Sequence, residues 1–384
     1  MSVPRLAVVC DMLEENWPSM NLVGEMLLAQ LRHDHAETFA VEQIRPPMRR
    51  RLTRAATTTG QLFNLDRLLN RFRDYPRVVA ARRAEFDLFH IVDHSYGQLV
   101  HQLPPERTII TCHDLDTFQC LLNGTQPRRS FFFRAMTKQI LAGLKRAARV
   151  TCDSQATRAE LLAHGLIEPE RAVVIHNGVH PACAPEADTE ADAEAARLLG
   201  PVQADAIEIL HVGSVIPRKR IDVLLRVVAA LRREFPRVRL VRVGGAFNAE
   251  QARLVAQLKL TDSVVVLPHL DRKVLAAVYR RAAIVLQPSE REGFGLPVVE
   301  AMACGTPVVA SDLAVLREVG GTAAAYCPVG ALSAWTETVT QLLSERSEQP
   351  QRWHERRVAG IAQAANFSWA EYARKMVAIY RQLL

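Results

Sequence analysis

Apolar and polar positions along the chain alternate in blocks, not residue by residue. Short runs dominated by Val, Ile, Leu, Ala and Phe recur at Arg5–Cys10, Phe86–Val92, Thr108–Cys112, Arg149–Cys152 and Val173–His176. A second series follows at Glu208–Gly213, Leu240–Val243, Val264–Leu267, Ala282–Leu286 and from Val308 onward. Runs of this kind, closed by polar or Gly/Pro-bearing stretches, mark parallel strands covered on both faces. Segments with helical spacing lie between them: Leu22–Leu31, Gln155–His164, Ile221–Arg233, Arg272–Ala282 and Val298–Cys304, with an amphipathic Phe367–Leu384 last. Ser154 and Asp271 stand where N-caps belong, and Gly165 where a helix should stop. The alternation predicts an α/β fold in two doubly wound halves. Ala182–Ala206, rich in Ala, Glu and Asp with prolines at its start, reads as a linker carrying one solvated helix.

The stretch richest in chemistry is Ala282–Val309, AAIVLQPSEREGFGLPVVEAMACGTPVV. Its order is strand, Gly-bearing loop, helix, strand, with Pro297 at a helix start and Gly305 at its stop. Gly293 and Gly295 let backbone approach a ligand, and the amides of the helix start, Gly293 to Leu296, offer positive dipole ends to an anion. Glu292 and Glu300 flank this nest. Carboxylates repel phosphate, so both should face hydroxyls. Two glutamates at this spacing are by themselves ordinary solvated residues, and it is the glycine, proline and strand–helix context that favours a site. A second anion grip stands after the strand ending at Gly213, where Arg218, Lys219 and Arg220 precede a helix. Residues just past strand carboxyl ends line the crevice of such a sheet, which makes His94 and His113 further candidates.

Composition narrows the class. The chain has 384 residues, 49% hydrophobic and 23% charged, as expected of a soluble globular protein of two domains. No apolar run approaches the roughly 18 residues of a membrane span, and Met1–Cys10 is too short for a secretory h-region. The seven cysteines are scattered with no C-x-x-C pair, so reduced thiols, no zinc site and a cytoplasmic protein are expected. Charge is uneven: Arg45–Arg83 holds eleven arginines against Asp66 and Asp74, more than the +7 of the whole chain. Further on, Arg128, Arg129 and Arg134 bracket Phe131, Phe132 and Phe133. Two readings stand. The arginines solvate helix faces while the phenylalanines are core, or this basic first half meets an anionic membrane surface. Nucleic acid, the other polyanion, lacks a recognition helix or aromatic platform here.

The run EREGFGLPVVEAMACGTPVVAS resembles the E-x7-E region of retaining glycosyltransferases of family 4, which have the GT-B fold. CDSQATRAELLAHGL…RAVVIHNGV is similar to that family's last N-domain unit, and ITCHDLD to its strand-HD segment. The resemblance covers Val92 to the C-terminus well and the first 90 residues weakly. It implies two Rossmann-like domains with an interdomain cleft that closes over the reactants. Residues 1–182 would be the acceptor-binding domain, 183–206 a linker and 207–366 the nucleotide-sugar domain, with 367–384 packing back on the first. It further implies His113, Arg218, Lys219 and Glu292 as catalytic residues. Gly213, Ser214, His269, Gly293, Phe294, Gly295, Leu296 and Glu300 would bind the donor. His113 would lie near the transferred sugar, Glu292 at the sugar and Glu300 on the ribose hydroxyls.

Two departures stand out: Ser214 occupies the family's usual arginine position, and Trp17, Pro18, Ser19 and Met20 replace its paired glycines. Trp17, Ser19 and His94 are the acceptor-side candidates. Asp114-Leu115-Asp116 spells the metal-binding D-x-D of GT-A enzymes, but the GT-B resemblance implies no metal and no cofactor beyond the sugar nucleotide. The expected activity is hexose transfer from GDP-mannose or a UDP-hexose to a glycan or lipid-linked acceptor in cell-surface polysaccharide or glycolipid synthesis. The enzyme would be cytoplasmic, or peripheral at the inner face of the plasma membrane. The alternatives are a sugar-nucleotide epimerase of GT-B fold and a non-catalytic sugar-nucleotide-binding protein.

Overall fold

The computed structural model describes residues 3–54, 59–122, 129–201 and 206–384. Arg128 of the basic–aromatic run and residues 202–205 of the expected linker lie outside these. Contacts divide the chain into two compact units, Met1–Gly178 with Ser368–Leu384, and Val179–Phe367. Among the described residues no helix is long and apolar enough to cross a membrane.

The first unit is built on six parallel strands: β1 (Arg5–Val9), β2 (Ala40–Ile44), β3 (Leu88–Ile91), β4 (Thr108–Cys112), β5 (Arg149–Cys152) and β6 (Ala172–Val174), in the order β2-β1-β3-β4-β5-β6. β3 and β4 are buried at every residue, as unbroken apolar runs require when helices cover both faces. The helix Trp369–Gln382 packs into this unit. Tyr380 lies edge-on to Phe39 at 5.6 Å, and its hydroxyl meets His90 Nδ1 at 2.7 Å. Gly178 makes the approach possible, since a Cβ there would stand 2.3 Å from the Trp369 nitrogen.

The second unit has its own six-stranded parallel sheet: β7 (Ile207–Val212), β8 (Val238–Val243), β9 (Val264–Leu267), β10 (Ile284–Gln287), β11 (Val308–Ser311) and β12 (Ala325–Cys327), in the order β12-β11-β10-β7-β8-β9. This is the Rossmann order. The stretch read as a linker with a solvated helix belongs to this unit instead. Its helix, Thr189–Leu199, buries Ala191, Ala195 and Leu199, and Asp192 pairs with Arg280 at 2.6 Å. Alanines at that spacing make a thin apolar face that composition alone disguises as solvated.

Strand order reverses between β1 and β3 in the first sheet, and between β7 and β10 in the second. At such switch points the loops leave in opposite directions and open a crevice past the strand carboxyl ends, where ligands of open α/β sheets bind.

Candidate functional site

The switch point of the second sheet gathers the residues singled out as anion grips. After β7 the chain turns through Gly213 (φ 154°) into Pro217–Lys219, and after β10 it runs through Ser289–Gly295 into the helix Leu296–Ala303. Backbone pairing of Glu290 N–H to Arg218 carbonyl, 2.8 Å, ties the two loops together. Lys219 Nζ meets Glu292 Oε1 at 2.6 Å and Arg218 Nη1 meets Oε2 at 3.3 Å. Gln287 Nε2, at the end of β10, donates to Glu292 Oε1 at 2.6 Å. Burial works to raise the Glu292 carboxyl, but Lys219 and then Arg218 outweigh it and hold it down at about 2. Arg242 of β8 lies fully buried beneath, donating to the carbonyls of Gly213, at 2.9 Å, and Gly245. Burial with no compensating carboxylate pushes its guanidinium down to about 10. The neighbouring His211 is buried and held neutral by burial, Arg242 and Lys219 together. Two cations thus pair with one carboxylate, while Arg242 holds the Gly213 and Gly245 backbone.

Gly295 caps the next helix with φ 99°, and a Cβ there would lie 2.7 Å from Leu316 Cδ2, so only glycine fits. Phe294 points its ring into the core against Phe367 at 5.6 Å, so Phe294 can offer a ligand only its backbone. Leu296 opens the helix. Glu300 is buried within it, accepting from Tyr279 Oη at 2.9 Å, with Arg272 Nη1 at 3.5 Å. Burial leaves its carboxyl raised despite both partners. Ser214 is half-buried just past Gly213, and His269 is exposed past β9, two strands from β7. The structure therefore brings Gly213, Arg218, Lys219, Glu292, Gly293 and Gly295 to one switch point and leaves His269 at the sheet's edge.

The first sheet's switch point has the opposite character. Asp11 follows β1 and Asp93 follows β3. Asp11 is 2% exposed, yet its oxygens accept no hydrogen bond from any described residue. Burial first, and Asp93 second, push it well above its ordinary value. Asp93 accepts from Ser95 N at 2.7 Å and Oγ at 2.5 Å. Burial opposes its charge, but His94, His113 and Ser95 hold it at about 2. Glu15 has a fully buried side chain paired, among the described residues, with Arg71 at 3.5 Å and Arg67 at 3.8 Å. Arg71 also donates to the carbonyl and hydroxyl of Ser95 and stacks 4.1 Å from the Tyr96 ring.

Trp17, 47% exposed, is the N-cap of the helix Pro18–Asp34, and Ser19 is exposed in its first turn. The helix begins four residues before the expected Leu22 because Pro18 suits its first turn. His94 is buried and accepts at Nδ1 from the His113 backbone at 3.3 Å. His113 lies past β4 with both ring nitrogens committed, Nδ1 to Asp153 at 2.5 Å and Nε2 to the Val92 carbonyl at 2.7 Å. Both partners only accept, so both nitrogens carry protons. Burial opposes that charge, but Asp153 pushes the imidazolium up to about 10. Asp114 accepts from the Asp116 backbone at 2.9 Å, a local turn.

Sequence reading missed Asp11, Glu15, Arg71, Asp93, Asp153, Arg242 and Gln287. Four carried a usable signal: Asp11, Asp93 and Asp153 each follow an apolar run at its carboxyl end, and Arg242 interrupts one. The basic stretch Arg45–Arg83 also changes meaning. Arg45, Arg51, Arg67, Arg71 and Arg82 pair with Glu25, Asp74, Glu15 and Glu42, four carboxylates of which three lie outside the stretch. Phe131 and Phe132, by contrast, are 81% and 78% exposed and so are not core.

Comparison with known proteins agrees with this architecture. The family model of glycosyltransferase family 4 matches residues 22–182, and that of the glycosyl transferases group 1 matches residues 200–357. A D-inositol 3-phosphate glycosyltransferase of Mycolicibacterium smegmatis is 32% identical over 239 residues, 58% of this chain and 53% of that protein. Its counterpart in Kineococcus radiotolerans is 35% identical over 260 residues, 62% and 57% respectively. The matches thus span little more than half the length of these relatives. In fold, the chain matches a sucrose-phosphate synthase of Thermosynechococcus elongatus with a TM-score of 0.75 at 22% identity, covering 99% of both chains. Anabaena HepE, in a complex with UDP and glucose, matches with a TM-score of 0.73 at 16% identity, covering 99% of this chain and 100% of that one. With a family-4 module in the first unit, a group 1 module in the second and two parallel six-stranded sheets, the chain belongs to the family-4-type glycosyltransferases of the GT-B fold.

Proposed function

We propose that the protein is a retaining glycosyltransferase that moves a hexose from a nucleoside diphosphate sugar to a hydroxyl of a glycan or lipid-linked acceptor. The observation that carries this reading is the second sheet's switch point, where Arg218 and Lys219 pair with Glu292 beside the Gly295 helix start and Arg242 holds the Gly213 backbone. Breaking the anomeric C–O bond leaves charge on the diphosphate, and preorganised cations and amides at the leaving group are the strongest stabilisation such a site can offer. Without donor, Glu292 neutralises Lys219 and Arg218. On donor binding the diphosphate would take over those cations and free Glu292 for sugar hydroxyls. Glu300 reaches the ribose only if Arg272 yields. Retention follows from front-face attack, with a donor phosphate oxygen taking the acceptor proton. His113, doubly protonated and held on both sides, is no proton acceptor and serves as a fixed imidazolium. Acceptor hydroxyls are assigned to Asp11, Glu15 and Asp93, with Trp17 as an apolar face for a sugar ring. No step calls for a metal or cofactor.

The reading draws support from relatives named for glycosyl transfer and from the solved HepE complexes with UDP and UDP-glucose. Thermal shift against UDP, GDP, ADP and their sugar conjugates tests the donor, since a ligand of the native state raises the melting temperature. A shift with one base family, together with sugar appearing on an added glycan, is expected. Conversion of the donor alone to an epimer would overturn transfer in favour of isomerisation, and absence of any shift would remove the nucleotide-sugar reading.

A further inference from the structure

The helix Phe131–Arg146 is fixed from one side and bare on the other. Its inner face buries Thr137, Ile140, Gly143 and Leu144. Gly143 packs directly on the Gly97 backbone, where a Cβ would come within 1.9 Å of the Gly97 carbonyl oxygen. Ser130 caps it by accepting from the Phe133 backbone at 3.3 Å. Its first turn holds Phe131 and Phe132 outward at 81% and 78% exposure, with ring centroids 6.1 Å apart. A rigid helix start showing two adjacent phenylalanines to water costs solvation free energy and stabilises nothing in the fold.

Charge indicates what covers them. Residues 129–146 include Arg129, Arg134, Lys138, Lys145 and Arg146 and no Asp or Glu. Arg134 is spent on the Cys120 carbonyl, and Lys145 lies toward Glu168 at the far end. Arg129, exposed beside Phe133, and Lys138, exposed two turns along, remain to flank the rings. Area argues against a protein partner: two phenylalanines present about 150–250 Å² each, well short of the roughly 800 Å² per partner of a stable interface. Two rings are nevertheless enough for interfacial insertion when basic side chains reach lipid phosphates.

We propose that Phe131 and Phe132 insert into the headgroup–acyl boundary of an anionic membrane, with Arg129 and Lys138 on the lipid phosphates. This moves the membrane contact from the Arg45–Arg83 stretch, five of whose eleven arginines pair with carboxylates within the fold, to one helix start. It stands independently of the transferase reading.

The test is co-sedimentation of the full chain with phosphatidylcholine vesicles, with and without phosphatidylglycerol. The protein should partition onto the anionic vesicles, and F131S/F132S should weaken partitioning at least about tenfold with an unchanged melting curve. R129S/K138S should weaken it by about fivefold per charge and remove most of its salt sensitivity. Failure of the unaltered protein to sediment, or equal sedimentation by F131S/F132S, overturns the proposal. So does a lipid-free dimer that F131S/F132S abolishes, which would make a second copy the occupant.

Discussion

The two sheets share one handedness and one rule for where a crevice forms, yet they fill their crevices with opposite charge. Past β7 and β10, Arg218 and Lys219 outnumber the Glu292 they pair with. Past β1 and β3, Asp11, Glu15 and Asp93 gather round Arg71. The first arrangement awaits an anion. The second is buried and acidic enough that burial and Asp93 together push the Asp11 carboxyl up. The fold thus supplies two equivalent places, and the side chains at strand ends decide what each accepts.

Four measurements would break or sharpen this contrast, and the largest effect concerns how the acidic side is held together. Asp153→Ala leaves the buried His113 imidazolium without its hydrogen-bonded carboxylate and with only the more distant charge of Asp93, and loss of one partner of such a pair costs about 3–5 kcal/mol. Calorimetry should show a clear drop in melting temperature, and an unchanged melt would mean that His113 is neutral. Next comes Lys219→Ala, which should cut turnover about 10²–10³-fold while the fold persists. Nucleotide release near the original rate would remove Lys219 from the anion site.

A smaller effect is expected from Asp11→Asn. Because burial and Asp93 already disfavour the Asp11 carboxylate, the swap should leave stability nearly unchanged and raise the acceptor KM about tenfold, the cost of roughly one hydrogen bond. An altered donor affinity instead would show that the two crevices are not divided by charge. Finally, stability should fall toward both pH extremes for opposite reasons. His113 is raised from 6.5 to about 10, so its contribution is complete below pH 6.5 and is lost as pH climbs toward 10. Glu292 is lowered from 4.5 to about 2, so its contribution is present above pH 4.5 and is lost as pH falls toward 2. Replacing His113 with Gln should flatten the alkaline limb of a melting-versus-pH curve and leave the acid limb, and any other pattern would reassign the groups.

Much of this was legible in the chain. Unbroken apolar runs located β1, β3, β4, β5, β7, β10 and β11, because strands buried on both faces admit few polar residues. The short edge strands β2 and β12 were not read, since an edge strand tolerates half-buried and polar positions such as Glu42 and Tyr326. On the donor side Gly293, Gly295, Lys219 and Glu292 were legible from local spacing, because a strand–loop–helix turn places its own residues. The acidic crevice was not, because Asp11, Arg71 and Asp93 lie far apart in sequence and mean nothing until β1 and β3 pair.

Sequence alone determined the class of fold, the order of its elements and the glycine-bearing strand–loop–helix turn around Glu292, each of which depends on neighbours within about a dozen residues. Tertiary structure alone decided which charges survive. It paired five arginines of Arg45–Arg83 with carboxylates drawn largely from outside that stretch, left Phe131 and Phe132 uncovered, and locked both nitrogens of His113. The physical reason is that charge and exposure are set by whatever stands within a few ångströms, and a chain that folds into parallel sheets fills that space with residues far away in sequence.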